Sequence, residues 1–243
     1  MKIIDSIIFE SDDYLAVNKP AGLLSIPDRE GKETSLKVLL QEAGHSIFTV
    51  HRLDKETSGV IVFAKNELAH RHLSLQFEER KTVKIYQGLV VGSVPGSHGT
   101  IDKPIAESTT TRGMMIIHRR GKESVTDYDV LENFGSFSWL QFQIHTGRTH
   151  QIRVHMKDLG HPIACDPLYG DGKPLMLSSI KSKFKLSRHE LEERPLLNRL
   201  ALHSLQLSFT DRAGGSIHIE APLSKDLRAT LQQLEKNRKK QKQ

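Results

Sequence analysis

Apolar residues fall along this chain in two kinds of run. Alternating or short continuous runs predict strands at 7–9, 14–17, 60–64, 83–91, 124–134, 136–145, 200–209 and 215–221. Val60 to Ala64 has no polar gap, the pattern of a strand buried on both faces. Leu140, Phe142 and Ile144 instead alternate with Trp139, Gln141 and Gln143, a half-buried antiparallel pattern. Helical spacing predicts four helices. The first starts at a Thr34 or Ser35 cap and runs through Ala43, with Leu36, Leu39 and Leu40 inward and Gly44 closing it. The second runs from Asn66 as N-cap to about Lys81 through Ala69, Leu73 and Phe77. The third lies within 148–159, with Ile152, Met156 and Leu159 inward and Gly160 as C-cap. The last follows Ser224 and turns Leu227, Leu231 and Leu234 to one face.

Between these elements, 92–122 reads as loops and small hairpins with Arg112, His118, Arg119, Arg120 and Lys122 clustered. The cluster fits a solvated face, or a phosphate contact if the partner is a polyanion. Segment 173–199, with Lys173, Lys181, Lys183, Lys185 and Arg188, reads as a partly helical insertion, and 235–243 as a frayed basic tail. No repeat and no linker-like stretch is present, so 1–234 reads as one domain. The class is α+β, a mainly antiparallel central sheet flanked by helices.

With 243 residues, 37% of them hydrophobic, the chain can bury a sizeable core. A net charge of +6 favours a polyanionic partner. The single cysteine, Cys165, excludes an internal disulfide and a Cys-rich zinc site and fits a reducing compartment. No apolar run suits a secretory signal or a spanning helix, so a cytoplasmic protein without membrane association is expected, as a monomer. His145, His150 and His155 are spaced by five, which places them on different helical faces, and no metal site is expected. There is no G-x-S-x-G, and Gly172-Lys173 has Pro167 where the first P-loop glycine would stand.

The chain is organised around 49–65, where the polar block His51 to Ser58 runs straight into the apolar run Val60 to Ala64. Gly59 between them suits a turn or a close backbone approach. Asp54 therefore sits on a loop feeding a buried strand, where a rigid scaffold can hold a reactive group. The pattern alone reads equally well as a solvated turn of loosely paired charges.

The words around Asp54 bear on that choice. His51-Arg52-Leu53-Asp54 followed by Thr57-Ser58-Gly59 resembles the signature loop of the RluA-type pseudouridine synthases. Asn18-Lys19-Pro20-Ala21-Gly22, Lys84-Ile85-Tyr86, the stretch Thr146 to His155 and Leu202-His203-Ser204 resemble the family in the right order, over roughly residues 7–222. The resemblance implies a catalytic cleft between two halves of the sheet. It implies isomerisation of uridine to pseudouridine in ribosomal or transfer RNA, in a structured stem-loop, without cofactor. Asp54 would be the catalytic carboxylate, Arg153 its clamp and Tyr86 the aromatic stacking on the base. A guanidinium beside a carboxylate favours the charged form and fixes one rotamer. Arg52 would enter the RNA stack as the nucleotide is everted, while Lys19, Arg148 and His150 would make backbone or loop-ordering contacts. Leu202-His203 would frame the pocket wall. Without the surrounding words, Tyr86 reads as core and Arg153 as a surface cation on a helix.

The chain departs from the family pattern twice. Gly88 stands where the family has Ala, which bears on packing. Cys165 precedes Asp166 and Tyr169-Gly170 where the family has Gly, and a positive φ there would strain Cys165 by roughly 1 kcal/mol or more. Many family members carry an N-terminal RNA-binding module of the S4 type, and this sequence starts directly on the catalytic body. Two competing functions are an inactive RNA-binding protein of the same fold and a nucleoside glycosidase. The second requires another carboxylate beside Asp54.

Overall fold

The computed structural model describes residues 3–28, 30–181, 184–186 and 192–241. Its strands are β1 (Ile7–Glu10), β2 (Tyr14–Lys19), β3 (Phe48–Thr49), β4 (Ser58–Ala64), β5 (Val83–Val91), β6 (His98–Asp102), β7 (Ile105–Glu107), β8 (Met115–Ile117), β9 (Val125–Asn133), β10 (Phe137–Ile144), β11 (Leu202–Thr210) and β12 (Ser216–Glu220). Its helices are α1 (Leu36–Glu42), α2 (Glu67–Glu78), α3 (Gln151–Asp158) and α4 (Lys225–Gln241).

One large sheet runs β1-β2-β4-β11-β5-β10-β9-β6, with β12 beside β11 and β3 beside β4, and β7 and β8 form a separate hairpin. All of its pairings are antiparallel except β4 with β11. The apolar run of β4 is buried throughout because its two faces meet two cores. Ile61 and Phe63 pack in the cluster that includes Leu36 and Leu40 of α1. Val60 and Val62 pack with Tyr14 and Ala16 and with Ala69 and Leu73 of α2.

The parallel pairing depends on a glycine. Gly59 has φ +114, and a Cβ there would lie 2.1 Å from the Ser204 carbonyl oxygen of β11. The chains approach so closely that a side chain has no room. Gly88 on β5 is also confined, with a Cβ position 3.1 Å from the Ala201 carbonyl oxygen, so the departure there concerns packing.

The helix starts follow the expected caps. Ser35 Oγ accepts from the Val38 amide and Asn66 Oδ1 from the Ala69 amide. α2 ends at Glu78, short of Lys81, because Arg80 turns the chain with φ 59. Leu159, expected inward, is 39% exposed, since it caps α3 one residue before Gly160 reverses the chain at φ +87. The described residues of 173–199 form turns and a Leu175–Leu197 bridge rather than helix. Lys183 and Arg188 lie outside the described residues.

α4 continues to Gln241, through most of the 235–243 segment expected as a basic tail. Burial of Leu227, Leu234 and Asn237 holds the helix down, and Arg238 pairs with Glu132 and lies over the Phe134 ring. Lys242 and Gln243 lie outside the described residues. Among the described residues no helix is long and apolar enough to cross a membrane.

Candidate active site

Asp54 lies on the loop between β3 and β4, and two neighbouring segments hold that loop. Ser25, buried, donates to the Leu53 carbonyl at 2.7 Å and accepts from the Leu53 amide at 3.0 Å. The Gly22 amide donates to the Lys55 carbonyl, and the Thr57 amide closes a turn onto the Asp54 carbonyl. His51 anchors the start by accepting from the Val62 amide at 3.0 Å and stacking on Phe77.

Lys19 completes this cradle. Its ammonium donates to the carbonyls of Pro20, Leu23 and Lys55 at 3.0, 2.7 and 3.0 Å, and the residue is fully buried. Burial pulls its pKa down to about 7, against the opposing charges of Asp54 and Glu56. Lys19 is therefore a loop-ordering group. Of the backbone or loop-ordering contacts expected of Lys19, these bonds are of the loop-ordering kind: its charge faces carbonyls inside the molecule.

Across from the loop, the Thr146–His150 turn leads into α3. Gln151 fixes that turn with all four of its amide bonds. Its oxygen accepts from Thr146 Oγ1 and the Arg148 amide, and its nitrogen donates to the Val125 carbonyl and Thr126 Oγ1. Two residues on, Arg153 is 3% exposed and reaches back to the loop, with Nη1 3.5 Å from Asp54 Oδ2. Its other two nitrogens bond both Asp166 oxygens at 2.8 Å. Burial opposes the Arg153 charge, and the Asp166 and Asp54 carboxylates more than offset this, raising its pKa.

His150 stands beside this pair. It adopts the left-handed conformation at φ 56, and its Nε2 lies 3.8 Å from Asp54 Oδ2. Burial lowers its pKa, so the ring is neutral near pH 7. Tyr86 on β5 is both core and cleft wall: it is 9% exposed and lines the cleft. Burial raises its phenol pKa to about 12, which keeps its proton in place at neutral pH.

These groups converge on one open cleft. Arg52, Asp54, Tyr86, Arg148, His150 and Arg153 line it, with Ile144 and Leu202 as apolar wall. Asp54 is the sole carboxylate among the described residues that line it. Arg52 is exposed at the mouth, and Arg148 continues into an adjoining groove walled by Arg120, Lys122 and Met115. The expected pocket wall at 202–203 is half right. Leu202 lines the cleft, whereas His203 is fully buried between Ser58 and the Ala221 carbonyl.

Two contributors escape a reading of the sequence. Asp166, completely buried, fixes Arg153, and Tyr169 bonds His150 Nδ1 at 2.8 Å and lies under the Arg153 guanidinium. Both belong to the Cys165–Gly170 word, whose sequence signals only loop geometry. Cys165 does have φ 59, as the missing glycine suggested. That turn points the Asp166 carboxylate at α3.

For this α+β fold and its Asp54 cleft, comparison with known proteins supplies the family. The family model for RNA pseudouridylate synthase matches residues 13–158. The chain belongs to this family, in its RluA-type branch. It is 43% identical over 176 residues to an uncharacterized RNA pseudouridine synthase of Aquifex aeolicus, covering 68% of this chain and 56% of that protein. It is 40% identical over 210 residues to the dual-specificity RNA pseudouridine synthase RluA of Vibrio vulnificus, covering 84% of this chain and 76% of that one. The solved structure of human RNA pseudouridylate synthase domain containing 4 superposes with a TM-score of 0.73 at 26% identity, covering 96% of this chain and 94% of that one.

Proposed function

We propose that this protein isomerises uridine to pseudouridine in structured ribosomal or transfer RNA, with Asp54 as the catalytic carboxylate. The observation that carries the reading is the position of Asp54: at an open cleft, 3.5 Å from a buried arginine that a second carboxylate holds rigid. In the reaction the bond from N1 to ribose C1′ breaks, the uracil turns, C5 bonds to C1′ and the C5 proton moves to solvent while N1 gains one. Nothing is added or removed overall, so no oxidant or co-reactant is required. Attack on C1′, attack on the base and abstraction of a sugar proton all place Asp54 against the nucleoside.

The cleft suits an everted nucleotide. Tyr86 offers a ring face with a retained phenol proton, and Ile144 and Leu202 offer apolar contact. Arg52 and Arg148 stand at the mouth, where a phosphate backbone would pass. A two-carboxylate glycosidase is disfavoured: Asp166, close to Asp54 through Arg153, is fully buried and its two oxygens are both bonded to that arginine.

The test is carbodiimide labelling with primer extension on RNA from a deletion strain and from the strain complemented with wild type or Asp54→Asn. Loss of a defined stop on deletion, restored by wild type alone, is the expected result. Purified Asp54→Asn should retain RNA affinity while product formation falls by at least about 10³-fold. An unaltered map of pseudouridine stops after deletion would overturn the reading.

A further inference from the structure

Tyr169 is connected to the centre of the cleft by hydrogen bonds of fixed direction. The Met115 amide on β8 donates to the Tyr169 hydroxyl oxygen at 2.9 Å, and His150 Nδ1 lies 2.8 Å from the same oxygen. Met115 has only a proton to give, so the hydroxyl accepts there and its own proton needs another acceptor. Tyr169 is 4% exposed, away from bulk water. A buried hydroxyl proton is rarely left without a partner, and His150 Nδ1 is the acceptor in range. A neutral imidazole that accepts at Nδ1 carries its proton on Nε2. Nε2 is the atom that faces Asp54 Oδ2 at 3.8 Å.

From these bonds we infer that Tyr169 is a positioning residue that fixes the His150 tautomer, so that His150 presents an Nε2–H donor to Asp54 or to the substrate seated on it. This inference rests on the pseudouridine synthase reading for its chemistry, but its hydrogen-bond content is independent of it. The geometry gives Asp54 two dissimilar neighbours: Arg153 supplies a fixed charge and His150 a neutral donor. Both are oriented from the 165–170 turn, Arg153 by Asp166 and His150 by Tyr169. The 3.8 Å separation exceeds a hydrogen bond. Contacts of this kind in catalytic sites commonly tighten once substrate seats. The charged groups around the ring are Asp54, Arg153, Asp166 and Arg52, of both signs, and the Asp54 carboxylate facing Nε2 favours the same tautomer as the Tyr169 bond.

The experiment uses the full chain labelled with ¹⁵N-histidine. Long-range proton–nitrogen spectra near neutral pH are compared for wild type, Tyr169→Phe and His150→Gln, the last identifying the His150 signals by their loss. The expected result is an unprotonated Nδ1 and a protonated Nε2 in wild type, with the Nδ1-protonated tautomer appearing in Tyr169→Phe. A wild-type spectrum with Nδ1 protonated overturns the inference even if the variant fails to fold. So does an unchanged tautomer ratio in a folded Tyr169→Phe. In turnover, Tyr169→Phe should lower kcat by about tenfold, the scale of one misdirected hydrogen bond, with KM little changed. In a His150→Gln background, whose amide nitrogen donates without any tautomer choice, the same change should cost nothing further. Equal losses in both backgrounds would mean a purely structural tyrosine and would count against the proposal. If the pseudouridine assay fails in wild type while the spectra behave as stated, the hydrogen-bond assignment survives and only the chemical reading falls.

Discussion

Arg153 divides its guanidinium between two carboxylates: Nε and Nη2 are bonded to Asp166 at 2.8 Å, and Nη1 stands 3.5 Å from Asp54. The bidentate pair is the rigid one, and it sets where the remaining nitrogen points. Because Asp166 is 0% and Arg153 3% exposed, removing the partner leaves a buried charge half compensated. Asp166→Ala is expected to cost about 3–5 kcal/mol in urea denaturation. Asp166→Asn, which keeps the shape and folds more readily, should still lower turnover. Wild-type turnover in Asp166→Asn would show that Arg153 needs no such brace.

Lys19 and Arg52 should separate by salt dependence. Arg52 is exposed at the cleft mouth, and Arg52→Ala should reduce the slope of log K against log salt by about 0.7, one phosphate contact on a single strand. Lys19→Met should leave that slope alone. It strips the donor from three carbonyls, so stability should fall by about 2–4 kcal/mol, and the Asp54 loop with it. Titrating RNA binding at several salt concentrations for both variants decides the matter.

Acid should weaken the fold through His155 and His203. Both are fully buried, and burial, the leading cause, holds their pKa values below the usual histidine range despite bonds to the Lys103 and Ala221 carbonyls. In the unfolded chain they titrate near about 6.5. The unfolded state therefore takes up protons first, so this stability is complete above about pH 6.5 and declines as pH drops below it. Urea midpoints at about pH 7.5 and about pH 5 should show the decline, and His203→Gln should make it shallower. A midpoint independent of pH over this range would contradict the assignment.

Gly59→Ala should disrupt the junction of β4 with β11. The added methyl would meet the Ser204 backbone at 2.1 Å, at a φ of +114 that other residues avoid. A loss of about 3 kcal/mol or more is expected, larger than ordinary overpacking because backbone cannot move aside as a side chain can. Gly214→Ala is the control: it shares a positive φ, +90, with nothing within 4 Å of the Cβ position, and should cost clearly less.

The sequence by itself determined the elements and the chemistry-bearing loop. Period-two and helical spacing placed β4, β5, α1 and the cap of α2 because these are set by residues within a few positions of one another. Likeness to the family, rather than spacing, singled out Asp54, Tyr86 and Arg153, and the family's glycine at the place of Cys165 suggested the positive φ found there. Local pattern misjudged Leu159, which is on the surface, and the last helix continues to Gln241, past the Leu227–Leu234 face that the spacing marked. What each polar group does was decided only by the folded chain. Lys19 and Arg52 are both basic residues in family-like words, yet one is enclosed by carbonyls and the other open to solvent. Asp166 and Tyr169 gain their meaning from Arg153 and His150, which lie 13 and 19 residues away and meet them across the α3 turn. A hydrogen-bond partner outside the same turn of chain is a property of three-dimensional position, and local spacing carries no record of it.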